Sequence, residues 1–226
     1  TLEFFYQKTR YTYNLDLLTA STTLNKKITW VYLLDDVHNS SFIRGGELII
    51  TTGLITKSSQ KLDHLINEAY IKGACGAIIN TGMYIKNVPS RIIEFGEENN
   101  FPIFSMPWET HIADIMQEYC NEIISEQKIA SLKNNVFLRS ILHSSSSEDK
   151  QILSQFIGFR IAASKMPLNI LYFAKVELDN FYYYICSAKS IHTADHSIGL
   201  SNQIESIDSI HQYYIQAYKA LKVSII

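Results

Sequence analysis

Apolar and polar positions follow two periods along the first half of the chain. Four short runs rich in β-branched and aromatic residues are predicted as buried strands, over 28–34, 47–52, 76–80 and 102–106. Apolar residues at helical spacing predict one helix over about 62–72 and another that begins at Pro89. Strands that alternate with helices through short connections pair in parallel, because each helix carries the chain back across the sheet. The pattern therefore predicts an α/β fold with a parallel βαβα sheet.

A longer helical pattern follows these elements. No Pro or Gly occurs between Glu109 and His143, and a helix of this length would extend about 50 Å at roughly 1.5 Å per residue. Apolar residues on steps of three, four or seven are typical of a connecting or pairing helix. The residues predicted to pair two subunits are Ile112, Met116, Tyr119 and Ile123. Two ordinary helices packed on the first domain would give the same pattern, so both interpretations stay open.

The rest of the chain is predicted as a small α+β region. Two strands, over 168–178 and 181–186, are joined by a turn. A further strand is predicted over 198–200 and a helix over 209–222. A serine-rich stretch that begins at Ser144 separates this region from the long helix. We therefore predict a first domain over 1–108 and a second domain over 148–226. Between them, residues 109–147 form a linker or dimerisation helix with its connector.

Composition and charge exclude several classes of protein. The 226 residues are 46% hydrophobic, which is ordinary for a globular protein and too high for a disordered chain. No apolar run approaches the roughly 18 residues that a membrane span needs, no signal peptide is recognisable, and three scattered cysteines cannot form a disulfide framework. The formal net charge of −2 at pH 7 argues against nucleic-acid binding by this chain itself. We expect a cytoplasmic protein that contacts no membrane.

The predicted binding site lies where the strands end. Ligands of open parallel sheets bind beyond the carboxyl ends of the strands, and the turns there offer hydroxyls, amides and an indole. The candidate ligand-binding residues are Arg44, Thr51, Thr52, Gly53, Asn80, Thr81, Gly82 and Trp108. Arg44 would supply the cation for a carboxylate or ureido ligand. In the alternative interpretation Arg44 pairs with Glu47 or Asp36, and the glycines only shape the fold.

Motifs for catalysis and metal binding are weak. The chain has no G-x-S-x-G, P-loop, dinucleotide-binding or H-E-x-x-H motif. His192 and His196 have helical metal-ligand spacing but no third spaced ligand, so we expect neither a metal nor another cofactor. Cys75 between glycines fits a packed thiol better than a nucleophile, and the neighbouring Asp35 and Asp36 would face opposite sides of a strand. We expect a protein that is not an enzyme; the alternative is a small α/β hydrolase or transferase that uses the strand-end edge.

Several stretches resemble the N-terminal domain of PucR-type purine catabolism regulators. They are 25–32, 42–53, 73–79, 88–89, 97–104 and 106–108, and together they cover residues 14 to about 124. The string R-G-G-E-L-x-x-T-T-G, which begins at Arg44, is highly specific. The short run 198–201 and the helix over 210–221 are similar to the end of the GGDEF-like middle domain of these regulators, which lacks cyclase activity. Tyr213 stands where Ser is usual, and the domain is shorter than in the family.

The resemblance implies a bacterial transcription regulator whose N-terminal domain senses a small metabolite or docks a partner. DNA would be contacted only through a C-terminal helix-turn-helix, expected after Ile226 and absent from this chain. The long helix would pair two subunits into a homodimer and transmit a change from the first domain. The family name does not fix the effector, and a module that dimerises without binding any ligand is a third interpretation.

Overall fold

The computed structural model describes residues 1–19, 22–54, 59–191 and 198–224. It divides into two compact units, Thr1–Ser125 and Glu126–Ile226. The organisation into three parts that the sequence suggested stays a prediction.

The first unit is built on a five-stranded sheet. Its strands are β1 (Asp16–Leu17), β2 (Trp30–Leu33), β3 (Glu47–Thr51), β4 (Gly76–Thr81) and β5 (Ile103–Pro107). They lie in the order β1-β5-β4-β3-β2, in which β2 to β5 are parallel and β1 is antiparallel to β5. The predicted α/β fold with a parallel sheet is thereby confirmed, and β1 is an addition that its two residues did not reveal.

Helices cover both faces of this sheet. They are α1 (Leu2–Thr9), α2 (Ser59–Ile71), α3 (Ser90–Glu98) and the first part of α4 (Ile112–Ile141). Successive strand residues point to opposite faces, so Leu48 and Ile50 pack in one apolar cluster with residues of α1 and α4. Ile49, between them, packs in the other cluster with residues of α2 and α3. The unit therefore has three layers, with the sheet buried between two layers of helix.

The pattern predicted the helices of the first unit unevenly. α2 and α3 confirm the predicted segments, and α4 is one continuous helix rather than two. α1 was not predicted; its N-cap is Thr1, whose side chain accepts a hydrogen bond from the N–H of Phe4, and it buries Leu2 and Phe5.

The second unit contains a four-stranded antiparallel sheet. Its elements are α5 (Ser147–Leu153), β6 (Arg160–Ser164), β7 (Ala174–Leu178), β8 (Phe181–Cys186), β9 (Ile198–Gln203) and α6 (Ile210–Ser224). The strand order is β7-β8-β6-β9. Asp179 and Asn180 both have positive φ angles, 53° and 65°, as expected for a two-residue turn between β7 and β8. The predicted hairpin is confirmed, although the strand predicted from residue 168 begins only at Ala174.

Close contact between β9 and α6 holds the second unit together. A Cβ atom added at Gly199 would lie 2.1 Å from the carbonyl oxygen of Ala217, so only glycine permits this approach. Val136, Phe137 and Ile141 of α4 are buried in the same unit. Among the described residues, no helix is both long and apolar enough to cross a membrane.

Candidate functional site

The carboxyl end of β3 is organised by Asp35, which follows β2. The Oδ1 atom of Asp35 accepts hydrogen bonds from Oγ1 of Thr51 at 2.9 Å and from the backbone N–H of Thr52 at 2.7 Å. Its Oδ2 atom accepts one from Oγ1 of Thr52 at 2.7 Å. Both predicted threonines therefore lie at the expected edge, with their hydroxyls bound to a carboxylate of the protein itself.

Asn80 occupies the same edge at the end of β4. Its side-chain amide donates hydrogen bonds to the carbonyl oxygens of Met106 and Pro107, at 3.3 and 2.9 Å. The side chain is almost fully buried, and its Oδ1 atom has no hydrogen-bond partner among the described residues. A buried acceptor without a donor costs free energy, but this oxygen is also closed off from solvent, so a ligand could reach it only if the edge opened.

Trp108 lies against the turn that follows β4. A Cβ atom added at Gly82 would come within 2.9 Å of the Cβ of Trp108, and Gly82 has a φ angle of 132°. The indole also meets the ring of Tyr84 edge-on, with centroids 5.3 Å apart. Gly53 and Thr81 complete the predicted set at this edge. The N–H of Gly53 donates a hydrogen bond to Oγ1 of Thr51, and Oγ1 of Thr81 donates one to the carbonyl oxygen of Met106.

The structure does not bring Arg44 to this edge. Arg44 precedes β3, whereas Thr51 ends it, so the strand separates them by about 13 Å at roughly 3.3 Å per residue. Glu47 accepts hydrogen bonds from the backbone N–H groups of Arg44 and Gly45, at 2.8 and 2.7 Å. Arg44 thus meets Glu47 only through its backbone N–H, and within the described residues its guanidinium forms no ion pair with Glu47 or Asp36.

A groove opens beside Asp35 that the sequence did not indicate. It encloses about 350 Å³, and its polar lining is Asp35, Asp36, His38, Lys61 and His64. The groove borders the carboxyl end of β2, and Lys61 gives it the cation that Arg44 does not. An acidic pair directly after a strand was the available signal for this part of the edge, but α2 contributes the basic groups from a position that only the fold reveals.

The residues predicted for subunit pairing pack within the first unit. Tyr119 and Ile123 are buried in its core, and Ile112 and Met116 pack partly buried against the same cluster. The hydroxyl groups of Tyr119 and Thr9 lie 2.7 Å apart. Contacts inside the chain therefore account for the apolar stripe of early α4, and a pairing role for these residues stays a prediction.

The candidates for catalysis and metal binding gain no support from geometry. Cys75 is buried, and burial raises the pKa of its thiol to about 12, far from the range of a reactive thiolate. In the described ranges no group of three or more His, Cys, Asp or Glu side chains could hold a metal ion. His192 and His196 lie outside those ranges.

Comparison with known proteins identifies the first unit. The chain belongs to the Purine catabolism regulatory protein-like family, PucR, whose model matches residues 7–123, more than half of the chain. The match lies within the first unit and confirms the resemblance of that part of the sequence to PucR-type regulators. The Purine catabolism regulatory protein of Bacillus subtilis (strain 168) is 26% identical over 112 residues, which are 49% of this chain and 21% of that relative. The chain thus spans about a fifth of the relative's length, and no solved structure was found to match it.

Proposed function

We propose that this chain is the regulatory part of a bacterial PucR-family transcription regulator and not an enzyme. The family match over residues 7–123 carries the proposal. In it, the first unit senses a small metabolite at the carboxyl edge of its sheet. The second unit corresponds to a shortened GGDEF-like domain without cyclase activity, and DNA is bound by a helix-turn-helix in a segment outside this chain.

The chemistry of the edge supports one class of effector. Lys61 presents a cation to the groove beside Asp35, and Asp36 presents a carboxylate acceptor to the same groove. A small polar molecule with N–H donors and a carboxylate or ureido group complements both features. Asp35 holds the turn of Thr51 and Thr52 in place, so it would position this site rather than only line it.

A homodimer is the second part of the proposal. Ile129 and Leu132 lie three positions apart on α4, and about half of each side chain is exposed. Apolar residues at this spacing form one stripe on a helix and favour pairing with a second helix. Light scattering at tens of micromolar should give a dimer, and the double change Ile129→Asp and Leu132→Asp should give a monomer. A wild-type monomer at that concentration would contradict this part.

Thermal unfolding of the chain with a panel of candidate effectors tests metabolite sensing. Purines, ureides, amino acids and dicarboxylates form the panel, and an effector at 100 times its dissociation constant should stabilise the fold by about 2.7 kcal/mol. The change Lys61→Gln should weaken a genuine hit, whereas Arg44→Gln, at the other end of β3, should leave it unchanged.

The outcomes separate the proposal from its alternatives. A saturable shift that Lys61→Gln reduces supports sensing at the carboxyl edge. Silence across the panel together with a stable dimer would favour the dimerisation module that binds no ligand. Chemical turnover of a panel compound would favour the small α/β enzyme instead.

A further inference from the structure

The R-G-G-E turn is a rigid structure at the amino end of β3. Besides the two hydrogen bonds that Glu47 accepts, Oγ1 of Thr29 donates to the carbonyl oxygen of Gly45 at 3.0 Å. The N–H of Gly46 donates to the carbonyl oxygen of Gly73 at 2.7 Å. These bonds fix the backbone of Arg44 and leave its guanidinium exposed, so a cation is presented from a preorganised position.

Three aromatic rings share a groove with this cation. Trp30 and Tyr32 come from β2 and Phe42 from the segment before the turn, and with Arg44 they line a groove of about 530 Å³. Trp30 and Phe42 are 42% and 68% exposed. None of these three rings stacks on another described ring. Tyr32 packs partly buried against the apolar cluster that contains α2 and α3, so Trp30 and Phe42 offer most of the ring surface that a ligand can reach.

We propose that this groove is a second ligand site, which binds a planar aromatic molecule that carries a carboxylate or another small anionic group. Aromatic side chains favour a flat ring, and a guanidinium binds a carboxylate through paired, charge-assisted hydrogen bonds. The volume lies in the range of small-molecule sites, about 300–1,000 Å³. Glu47 also lines the groove, but both of its oxygens are already bound to backbone N–H groups.

The charge of the first unit favours a small ligand over a nucleic acid as the occupant of this groove. The segment 1–126, which contains the groove, has 10 basic and 15 acidic side chains, and such a surface repels a nucleic acid. A single anionic group that reaches the Arg44 guanidinium avoids most of this repulsion. The site lies at the end of β3 opposite the proposed effector site, so it does not depend on the function proposed above.

Nuclear magnetic resonance of isotope-labelled tryptophan gives a test with local resolution. The chain has two tryptophans, Trp30 and Trp108, and the variant Trp108→Phe assigns their two indole N–H signals. Naphthoate is the probe, naphthamide is the matched ring without charge, and cyclohexanecarboxylate is the matched charge without an aromatic ring. Naphthoate should shift the Trp30 signal saturably, and each control compound should bind about tenfold more weakly or worse.

Variants connect the signal to the groove. Arg44→Gln should weaken naphthoate binding about tenfold and leave naphthamide binding unchanged. Phe42→Ser removes a mostly exposed ring and should weaken both compounds without unfolding the chain. Lys86→Gln removes an exposed cation from the loop after β4 and serves as the charge control, for which no change is expected.

Three results would overturn the proposal. Equal affinities of naphthoate and naphthamide would show that Arg44 does not bind the carboxylate. A shift confined to Trp108 would place the probe at the other end of the sheet. A dimer that Phe42→Ser dissociates would identify a second copy of the chain, rather than a small molecule, as the occupant of the groove.

Discussion

At both ends of β3 a carboxylate accepts hydrogen bonds from a turn, but the two carboxylates bind different kinds of group. At each end a single carboxylate binds the groups of a turn: Asp35 at the carboxyl end of β3, and Glu47 at its amino end. Asp35 binds two hydroxyls and one N–H, so it occupies side chains that could otherwise contact a ligand. Glu47 binds only backbone N–H groups, and the side chain of Arg44 remains available.

This difference changes how polar residues in a turn are interpreted. A hydroxyl at a strand end is a poor indication of a binding group when an acidic residue ends the neighbouring strand, because the two satisfy each other. A cation in a turn whose backbone is bound by a buried carboxylate is a better indication, since its position is fixed while its charge is unused. The comparison predicts different costs for mutations at the two ends.

The largest effect is expected for Glu47→Ala. Glu47 is buried, and its loss leaves the N–H groups of Arg44 and Gly45 without their acceptor, which should lower the free energy of unfolding by about 3 kcal/mol. Urea denaturation measures this change. Glu47→Gln keeps one acceptor oxygen and should cost about half as much, and Glu94→Ala, on the exposed side of α3, should cost almost nothing. A loss below about 1 kcal/mol for Glu47→Ala would contradict the structural role of the carboxylate.

Asp35→Ala should have a smaller effect at the opposite end. Three donors lose their acceptor, but Asp35 is only half-buried, so water can replace part of the interaction and the loss should be about 2 kcal/mol. Asp36→Asn is the matched control, because an amide oxygen can still accept the hydrogen bond from the N–H of His38. If Asp35→Ala cost as much as Glu47→Ala, the two ends would not differ as described.

The sequence predicted the parallel core well, because burial on both faces gives an unmistakable composition. β3 has five buried residues in succession, and Gly and Pro mark the limits of β4 and β5. β6 was missed although it lies inside the second sheet. Its residues Arg160 to Ser164 include two alanines, and such small side chains carry little strand propensity; pairing with β8 and β9 determines that strand.

The sequence located one edge of the sheet but not the contacts made there, and the binding site itself stays a prediction. The end of a parallel strand can be located from the sequence, so Thr51 and Asn80 were placed at one edge correctly. Arg44 was assigned to that edge because it is near in sequence, although a whole strand separates it from Thr51. The contribution of Lys61 depends on how α2 packs on the sheet, and this tertiary relation leaves no local signal.

A third carboxylate, Asp149 in the second unit, differs from Asp35 and Glu47 because it binds a charged side chain, that of Arg139. The hydrogen bond from Arg139, and next that from the N–H of Ser146, lower the pKa of Asp149 to about 2. Because this folded-state value lies below the usual value of about 3.9, its contribution to stability is present above about pH 5 and is lost as the pH falls towards 2. Urea midpoints of the wild type should therefore exceed those of Asp149→Asn at pH 6, and the gap should narrow below pH 4. A gap that does not depend on pH would show that charge plays no part in this turn.

The smallest expected effect is the most informative for the amino end of β3. Arg44→Gln keeps the backbone N–H that Glu47 binds and removes an exposed charge without an ion pair in the described chain, so the free energy of unfolding should change by less than about 0.5 kcal/mol. Urea denaturation of Arg44→Gln and Glu47→Ala side by side compares their free energies of unfolding. We expect the fold to require the carboxylate of Glu47 but not the guanidinium of Arg44. A loss above about 1 kcal/mol would mean that the cation has a structural partner and is not free to bind a ligand. Neutrality would show that the fold does not need the guanidinium, which is the condition for its proposed role in ligand binding.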